Sequence, residues 1–338
     1  MIKISPPSHF KIEDSLAQIV QNFRNKAIQI LNKTDHRIAI ILGPCSIHNT
    51  DEAIEFGNKI RSLQEKIKSH FLLIMRVFFE KPRTCLGWKG FLYDPLLDGS
   101  NRLDLGLRKS CNLLRQLTEL EIPLATEFLD PLAASYFHPY ITWGIIGART
   151  SASQIHRALA SQYNFPIGFK NTVHGDLESP IYGIISSRQS QNRFTINSEG
   201  HVVYQITDGN PFAHLILRGS YSGPNCDFES IQKARTFLIS KGLEDRLVID
   251  CSHGNSRKKI SGQIGAFQTA IAHLTKSHLP IQGLMLESNL FSGNQPIRSP
   301  LQYGISVTDP CLGWEETQEL ILKAHSQISL EPVQNLCG

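Results

Sequence analysis

Eight short apolar runs along the chain each end close to a residue that can take part in chemistry. The runs are rich in isoleucine, leucine and valine and do not alternate cleanly with polar residues, which is typical of strands buried on both faces of a parallel sheet. The runs and the residues that follow them are 38–42 with Cys45, 72–75 with Arg76, 123–126 with Glu127, 144–148 with Arg149, 166–169 with Lys170, 214–217 with Arg218, 247–250 with His253, and 281–286 with Glu287. Most of the intervening segments are long enough for a crossover helix. We therefore predict an α/β protein with a (β/α)8 (TIM) barrel, whose active site is built at the C-terminal ends of the strands.

Apolar residues at helical spacing predict helices between and before these strands. The predicted helices span 12–32, 51–69, 103–120, 151–162, 228–241, 257–275 and 315–326. Segment 193–207 alternates around a central Glu-Gly pair and predicts a β-hairpin inserted between strands five and six. We interpret residues 1–338 as a single barrel domain with an N-terminal extension, 1–36, that carries the first helix.

Composition restricts the classes of protein that remain. The chain is 41% hydrophobic and 19% charged, which predicts a folded domain with a substantial core. No stretch reaches the roughly 18 apolar residues of a membrane-spanning helix, and the first residues lack the apolar core of a signal peptide, so we expect a cytoplasmic protein without a membrane partner. The seven cysteines are scattered, which favours free thiols. A net charge of +4 without a basic tract argues against nucleic acid.

Four of the residues that follow apolar runs are cations: Arg76, Arg149, Lys170 and Arg218. In a barrel they converge on one mouth, where two like charges about 4 Å apart repel by about 4 kcal/mol at an effective dielectric constant of about 20. Such a cluster is typical of a site for a polyanion, since arginine and lysine bind phosphate and carboxylate groups. Solvated surface charges are the alternative. The grouping favours a small phosphate ester as the ligand.

A long segment, 78–101, follows the second run and includes F-E-K-P-R-T-C-L-G-W-K-G at 79–90. Lys81, Arg83 and Lys89 surround a proline and a glycine there, and Thr84 adds a hydroxyl. A stiffened turn with these groups is suited to a second phosphate clamp. A flexible, solvated loop is the alternative.

Four residues with metal-binding side chains also occur close to strand ends. Cys45, His253 and Glu287 follow strands one, seven and eight, which become neighbours when the barrel closes, and Asp309 lies beyond strand eight. A thiolate, an imidazole and carboxylates together suit Mn²⁺, Fe²⁺, Co²⁺ or Zn²⁺ better than Mg²⁺ or Ca²⁺. Each residue alone is equally well explained as a small buried side chain or a hydrogen-bonding loop residue.

Taken together, these residues resemble those of the metal-dependent 3-deoxy-D-arabino-heptulosonate-7-phosphate (DAHP) synthases, in the class that is sensitive to phenylalanine, tyrosine or tryptophan. The resemblance runs from about residue 38 to about residue 315. The shared motifs are G-P-C-S-I-H at 43–48, M-R-V-F-F-E-K-P-R-T at 75–84, G-W-K-G at 87–90, W-G-I-I-G-A-R-T at 143–150, G-F-K-N at 168–171, L-R-G at 217–219, D-C-S-H-G-N at 250–255 and T-D-P-C-L-G-W-E at 308–315.

The resemblance implies a transferase of the shikimate pathway, which leads to chorismate and the aromatic amino acids. The enzyme condenses phosphoenolpyruvate with D-erythrose 4-phosphate and water to give DAHP and phosphate. The resemblance implies that a divalent metal (Mn, Fe, Co or Zn) binds to Cys45, His253, Glu287 and Asp309, and that phosphoenolpyruvate binds to Arg76, Gly147, Ala148, Arg149, Lys170 and Arg218. It implies that erythrose 4-phosphate binds to Lys81, Pro82, Arg83 and Thr84, with Lys89 beside them. The catalytic residues that it implies are Lys81, Glu127, Lys170 and His253. A homodimer or homotetramer is expected, and the N-terminal helix is a candidate either for its interface or for a cap on the barrel floor.

The chain departs from these relatives in several places. After strand six it reads R-G-S-Y-S-G-P-N, with one residue more than R-G-G-K-x-P-N, and after strand five T-V-H-G replaces G-T-D-G. At the hairpin, Arg193 and Gln205 stand where regulated relatives build an apolar effector pocket, and Asn164 replaces a serine. The N-terminal arm is also shorter. We therefore predict weak or no inhibition by phenylalanine; an Arg193 side chain that points outward, beside a pocket rebuilt for another ligand, is the alternative.

Three other functions compete with DAHP synthesis. The related 3-deoxy-D-manno-octulosonate-8-phosphate synthases use arabinose 5-phosphate, but their sugar-phosphate loop usually reads K-A-N-R-S, whereas this chain reads K-P-R-T at 81–84. A Schiff-base aldolase would use Lys170 as its nucleophile. A non-catalytic barrel that only binds a phosphorylated metabolite is the third.

Overall fold

The computed structural model describes residues 3–330 and contains a closed barrel of eight parallel strands. The ten strands within residues 3–330 are β1 Ile38–Gly43, β2 Phe71–Arg76, β3 Leu124–Glu127, β4 Trp143–Ile146, β5 Ile167–Lys170, β6 Asn192–Ile196, β7 Val202–Ile206, β8 Ala213–Leu217, β9 Leu247–Asp250 and β10 Ile281–Glu287. The order around the barrel is β1-β10-β9-β8-β5-β4-β3-β2, while β6 and β7 pair as a separate antiparallel hairpin. The predicted (β/α)8 barrel and its inserted hairpin are both confirmed. Residues 1–2 and 331–338 of the predicted domain lie outside the described residues.

Ten α-helices surround the barrel in the described part of the chain. They are α1 Asp14–Leu31, α2 Thr50–Ile67, α3 Leu103–Glu119, α4 Pro131–Phe137, α5 Gln154–Ala160, α6 Glu178–Ser187, α7 Phe228–Ser240, α8 His253–Ser256, α9 Ile260–Lys276 and α10 Trp314–Ser329. All seven predicted helices occur with shifted ends. Helix α9 begins three residues later than predicted, because Arg257 and Lys258 adopt left-handed backbone angles (φ 51° and 56°) that separate it from α8.

The sequence did not predict α4, α6 or the four-residue α8. Helix α4 has seven residues, too few to show a helical period, but it carries a start signal. Its N-cap is Asp130, whose side chain accepts hydrogen bonds from the backbone N–H groups of Leu132 and Ala133, and Pro131 follows at the first helical position. In α6, Pro180 and Gly183 obscure an otherwise apolar helix.

Alternation along the strands divides the core into two layers. In β1, Ala39 and Ile41 point into the barrel, whereas Ile40 and Leu42 pack outward against the helices. The interior cluster also includes Ala27, Ile30 and Leu31 of α1. Helix α1 therefore caps the barrel floor, and the C-terminal ends of the strands remain open for a site.

The N-terminal extension also contacts the hairpin. The backbone N–H of Ser8 donates to the carbonyl of Ser198 at 2.8 Å, and the Tyr136 hydroxyl donates to the carbonyl of Ser5 at 2.9 Å. Within residues 3–330, no helix has the length and apolar character needed to cross a membrane.

A buried histidine near the floor makes the stability of the barrel pH-dependent. The Nδ1 atom of His214 lies 3.0 Å from the carbonyl of Phe212, and Trp143 Nε1 donates to His214 Nε2 at 3.2 Å. Burial lowers the pKa of His214 to about 3. The neutral ring therefore stabilises the fold fully above the unfolded-state pKa of 6.5, and this contribution is lost as the pH falls towards 3.

We expect the His214→Gln variant to lose this dependence on pH. The wild type loses stability as the pH falls below about 6, so the difference in free energy of unfolding between the two proteins should shrink by about 1 kcal/mol per pH unit. One pKa unit corresponds to about 1.4 kcal/mol. Urea denaturation of both proteins over a series of pH values measures the difference. A difference that stays constant would mean that His214 binds its proton in the folded state.

Candidate active site

The open end of the barrel forms a cleft in which most of the predicted site residues meet. Those that line it are Arg76, Lys81, Pro82, Arg83, Glu127, Gly147, Ala148, Arg149, Lys170, Arg218, His253 and Asp309. Cys45 and Glu287 are buried beside it, and Thr84 contacts one of its arginines. The Lys89 side chain is exposed and does not line the cleft, but its carbonyl accepts a hydrogen bond from the backbone N–H of Lys81 at 2.9 Å.

Three potential metal ligands lie within reach of one ion. One ligand atom from each of Cys45, Glu287 and Asp309 lies within 4.8 Å of the others. The fourth candidate is close, since His253 Nε2 is 3.6 Å from Glu287 Oε1. Ligand bonds of about 2.0–2.3 Å bring such atoms around a single divalent ion, and the donor set suits a borderline metal.

The charges in this cluster are strongly coupled. Burial raises the pKa of the Cys45 thiol and the Glu287 charge raises it further, while Lys81 opposes both. Burial alone would lower the pKa of Lys81, but the charges of Cys45 and Glu287 outweigh it and raise that pKa. The Lys81 ammonium donates to the Cys45 carbonyl at 3.0 Å and to Cys45 Sγ at 3.1 Å. A cation is therefore held next to the thiol.

Glu287 is fixed by residues that the sequence analysis did not identify. Its backbone N–H donates to Gln263 Oε1 at 2.6 Å and to Ser252 Oγ at 3.2 Å, and Gln263 Nε2 donates back to the Glu287 carbonyl at 3.2 Å. Gln263 is buried in α9, where its polar side chain interrupts an apolar face, which is the one signal that the sequence offered.

Arg76 is the most deeply buried of the four cations. Its Nη2 lies 3.1 Å from Glu287 Oε1, and its guanidinium stacks 4.1 Å from the centroid of the Phe78 ring. Among the described residues, Nη1 has no hydrogen-bond partner. A buried, unsatisfied donor in a cleft can bind an anionic ligand.

Asp250 links a cation to the metal-ligand cluster, and the sequence analysis assigned it no role. Its Oδ2 lies 2.7 Å from Lys170 Nζ and 3.0 Å from His253 Nδ1. Burial would raise the pKa of Asp250, but the neighbouring His253 and Lys170 hold it well below the ordinary value. Asp250 therefore orients both side chains as a carboxylate.

Glu127 faces the cleft from the end of β3. Its Oε1 is buried and has no hydrogen-bond partner among residues 3–330. A Cβ at position 147 would lie 2.1 Å from that oxygen, so the glycine there makes room for it. Strand β4 ends at Ile146, two residues earlier than predicted, because the chain turns at Gly147, whose carbonyl accepts from Thr150 and Ser151.

The two predicted anion clamps touch each other. Arg149 Nε donates to Thr84 Oγ1 at 3.0 Å, which joins the cation cluster to the loop after β2. In that loop Arg83 Nε donates to the Trp88 carbonyl at 2.8 Å. Arg218 closes the opposite side, and its burial lowers its pKa.

This geometry can be compared with proteins of known family. Residues 10–322 match the family described as the DAHP synthetase I family. The chain belongs to this family. A Tyr-sensitive phospho-2-dehydro-3-deoxyheptonate aldolase of Salmonella typhimurium is 39% identical over 93% of this chain and 90% of its own length. The Trp-sensitive protein of Escherichia coli K12 is also 39% identical, over 94% of this chain and 92% of its own.

A solved structure supports the same assignment. The phospho-2-dehydro-3-deoxyheptonate aldolase of Francisella tularensis SCHU S4 superimposes with a TM-score of 0.95 and 39% sequence identity, covering 98% of both chains. The family predicted from the motifs is thereby confirmed.

Two segments of this DAHP synthetase I family member differ from the family pattern, one after β5 and one after β8. These two segments contact each other. The backbone N–H of Tyr221 donates to the Val173 carbonyl at 3.0 Å, and the rings of His174 and Tyr221 pack edge to face, 5.5 Å apart. The longer loop closes in a turn in which the backbone N–H of Ser220 donates to the Gly223 carbonyl at 2.8 Å. The insertion therefore changes the rim of the cleft while Arg218 remains in its lining.

At the hairpin, Arg193 does not point outward. The residue is buried, and its Nη1 donates to Gln162 Oε1 and lies 3.5 Å from Gln205 Oε1. Burial lowers the pKa of its guanidinium, which Tyr163 partly offsets. The space between the hairpin and the barrel therefore contains a cation that is bound to two amide side chains of the protein.

Proposed function

We propose that this chain catalyses the condensation of phosphoenolpyruvate with D-erythrose 4-phosphate and water to DAHP and inorganic phosphate, the first step of the shikimate pathway. The observation that carries the proposal is the meeting, in one cleft, of two adjoining groups of cations and a cluster that can bind a metal. Each group suits one phosphorylated substrate.

Phosphoenolpyruvate binds among four cations, of which Arg76, Lys170 and Arg218 are buried and Arg149 is exposed. Arg76 and Lys170 hold its carboxylate, and Arg76 Nη1 is the unsatisfied donor that supports this role. Its phosphate lies on Arg149, Lys170 and Arg218, with backbone contacts from Gly147 and Ala148. Ion pairs at both ends of the molecule position the reacting carbon. Good positioning can lower the activation barrier by roughly 7–11 kcal/mol.

Erythrose 4-phosphate binds to the loop after β2, on Lys81, Pro82, Arg83 and Thr84. The exposed Lys89 contributes through its carbonyl, which fixes the backbone of Lys81. Lys81 reaches deepest, and its ammonium lies beside Cys45 rather than in solvent. It is thus placed to donate a proton to the oxygen that forms when the aldehyde is attacked.

Cys45, His253, Glu287 and Asp309 would hold a divalent ion of Mn, Fe, Co or Zn, as their donor chemistry and spacing allow. When bound, this ion supplies Lewis-acid polarisation of the aldehyde. His253 is oriented for this role by Asp250.

The remaining chemistry uses side chains of the cleft. The C2–C3 π electrons of phosphoenolpyruvate form the new bond to the aldehyde carbon, and the aldehyde oxygen takes a proton from Lys81. Water adds to C2 with its proton directed to Glu127, whose buried oxygen has no other partner in the described chain. The C2–O bond to phosphate then breaks, the phosphate leaves with that oxygen and takes up the proton of the C2 hydroxyl, and C2 becomes the ketone.

Phosphate release tests the proposal against its rivals. With phosphoenolpyruvate, we expect release in the presence of erythrose 4-phosphate and none after treatment with a chelator. Faster release with arabinose 5-phosphate would favour octulosonate-8-phosphate synthesis, and no release with either sugar would favour a binding protein. Trapping of Lys170 by borohydride would reveal a Schiff base; in the structure its Nζ lies 2.7 Å from Asp250 Oδ2 in a buried ion pair.

Two substitutions should separate the clamps. Arg83→Ala should raise the Michaelis constant for erythrose 4-phosphate more than that for phosphoenolpyruvate, and Arg218→Ala should do the reverse. Each removes a charge-assisted contact of about 1.5–3 kcal/mol, or about tenfold to a hundredfold in affinity. Steady-state kinetics with each substrate varied in turn measures both constants; equal effects on both would contradict two separate clamps.

The enzyme forms a homodimer or homotetramer in this proposal. Support comes from the outer face of the hairpin, where the exposed fractions of Phe194, Val202, Tyr204 and Ile206 are 80%, 75%, 61% and 64%. A contiguous apolar face of this kind is typical of an interaction surface. Light scattering during size-exclusion chromatography measures the mass.

We expect weak or no inhibition by aromatic amino acids. An aromatic effector in the space beside the hairpin would have to displace Arg193 from Gln162 and Gln205 or leave its buried charge unpaired, at a cost of several kcal/mol. That cost is comparable with the whole binding free energy of a ligand with a micromolar dissociation constant, roughly 8 kcal/mol. Titrating phenylalanine, tyrosine and tryptophan separately against activity checks this, and micromolar inhibition by any of them would contradict it.

A further inference from the structure

Three asparagines hold the segment around Arg218 where the barrel ladder stops. The pairing of β5 with β8 ends at Lys170 and Ile216, after which the backbone N–H of Asn171 makes one further bond to the Ile216 carbonyl at 3.1 Å. Leu217 still pairs with Ile249 of β9, but the polar backbone groups of Arg218 and Gly219 lie beyond both ladders. Asparagine side chains and the N-terminal end of α8 bind them instead, and all three asparagines follow barrel strands.

Asn171 is the centre of this arrangement. It is fully buried; its Oδ1 accepts from the backbone N–H of Arg218 at 2.8 Å and from Asn225 Nδ2 at 3.1 Å. Its Nδ2 donates to the carbonyls of Gly219 at 2.8 Å and Thr172 at 2.9 Å. The amide therefore uses both donors and two acceptor positions, which leaves no rotational freedom.

Asn225 and Asn255 bind the same segment from the other side. The backbone N–H of Gly219 donates to Asn225 Oδ1 at 2.6 Å, and the backbone N–H of Asn225 donates to Asn255 Oδ1 at 2.7 Å. Asn255 Nδ2 donates to the carbonyls of Leu217 at 3.2 Å and Asp250 at 2.8 Å. The segment is thus tied to the ends of β5 and β9 at once.

Close backbone packing completes the support. The backbone N–H of Gly254 donates to the Arg218 carbonyl at 3.0 Å. Gly219 has φ 72°, and a Cβ there would lie 2.4 Å from the backbone N of Asn255, so only glycine fits. By contrast, within the described chain the Arg218 guanidinium makes one long contact, from Nη1 to the Gly219 carbonyl at 3.4 Å. Its backbone is fixed while its head group remains available to a ligand.

We propose that Asn171, Asn225 and Asn255 are positioning residues that hold Arg218 at a fixed distance from Lys170, so that both cations meet one phosphate group. This rests on the proposed function, which places the phosphate of phosphoenolpyruvate on these cations. The asparagines act through Arg218 and do not touch the substrate. The longer loop of this chain can therefore vary between Gly219 and Asn225 without moving the arginine.

Asn225→Ala tests the proposal, because Asn225 is only half-buried and its loss removes two of the bonds that hold the segment. In the metal-loaded enzyme we expect the dissociation constant of phosphoenolpyruvate, measured by calorimetry, to rise about tenfold, since small misplacements of a binding group are costly. The Michaelis constant for erythrose 4-phosphate should change less than about twofold. Asn171→Leu should have the larger effect on phosphoenolpyruvate if the variant folds.

Asn210 provides a matched control. It is also fully buried, donates to the carbonyls of Ala160 at 3.2 Å and Phe165 at 3.1 Å, and accepts from the backbone N–H of Phe212 at 2.8 Å, but it precedes β8 at the opposite end of the barrel. Asn210→Leu should lower the melting temperature and leave the dissociation constant of phosphoenolpyruvate unchanged.

A double-mutant cycle separates positioning from general support. In an Arg218→Ala background, Asn225→Ala should change the dissociation constant less than about twofold, because the group that it positions is gone. Additive effects, or an unchanged constant in the single variant, would overturn the proposal. Parallel titrations with inorganic phosphate probe the cations without the full substrate. If the wild type bound phosphate but not phosphoenolpyruvate, the proposed function would fail. The same double-mutant cycle, measured with inorganic phosphate, would still decide the role of the asparagines.

Discussion

Replacing Cys45 with serine should remove most of the activity that Mn²⁺, Co²⁺ or Fe²⁺ restores to the chelator-treated enzyme. A hydroxyl is a poor replacement for a soft thiolate, and Cys45 is buried against Glu287, Asp309 and the ammonium of Lys81. Even residues that only support a metal ligand change affinity by about tenfold to a hundredfold, so loss of a ligand should cost at least as much. Metal content by mass spectrometry and activity in the same samples measure both consequences.

Cys111 is the matched control for this substitution. It is a buried cysteine of α3 that packs in the outer hydrophobic layer, away from the cleft. Cys111→Ser should reduce stability because it buries a hydroxyl, while metal content and activity per folded molecule stay at wild-type values. If Cys45→Ser instead retained both its metal and full activity, Cys45 would be excluded from the ligand set.

The sequence predicted the parts of the site that depend on local pattern. A buried strand produces a continuous apolar run, and the first polar residues after it must lie at the barrel mouth, which is why Arg76 and Lys170 could be placed there before any contact was known. The same reasoning located Cys45 and Glu287 at neighbouring strands, which pair directly in the barrel.

The residues that the sequence did not reveal act across long separations. Gln263 binds the backbone of Glu287 in β10 from helix α9, and Asn171, which follows β5, binds Arg218 across 47 residues of the chain. Neither contact leaves a periodic signal in the chain. An asparagine after a strand resembles an ordinary loop residue until its partners are visible.

The sequence pattern also did not predict the direction in which individual side chains point. At the hairpin, alternation predicted the strands correctly but left the orientation of Arg193 open, because its position depends on the amide of Gln162 in another part of the chain. The direction of the Lys89 side chain was also not predictable. Its charge suggested that the side chain binds phosphate, whereas its backbone carbonyl makes the contact with Lys81.

Gly147→Ala should nearly abolish turnover without unfolding the protein. The added methyl group would lie 2.1 Å from Glu127 Oε1, far inside contact distance, and the carboxylate is the softer of the two groups. Glu127 must therefore leave the position that we propose for it between the two substrates. We expect kcat to fall about a hundredfold, because displacements near 1 Å have effects of that size. The free energy of unfolding should change by no more than about 1 kcal/mol, as judged by urea denaturation.

Two further variants determine whether Glu127 is the cause. In Gly147→Ala/Glu127→Ala the clash is absent, so kcat should equal that of Glu127→Ala alone rather than the product of the two losses. Gly265→Ala is the control for the exchange itself: its added methyl group meets nothing within 4 Å in α9, and it should keep full activity and stabilise the helix by up to about 1 kcal/mol. A double variant much slower than Glu127→Ala would show that Gly147 acts on the substrates directly, through the backbone contacts assigned to it and Ala148, rather than by making room for the carboxylate.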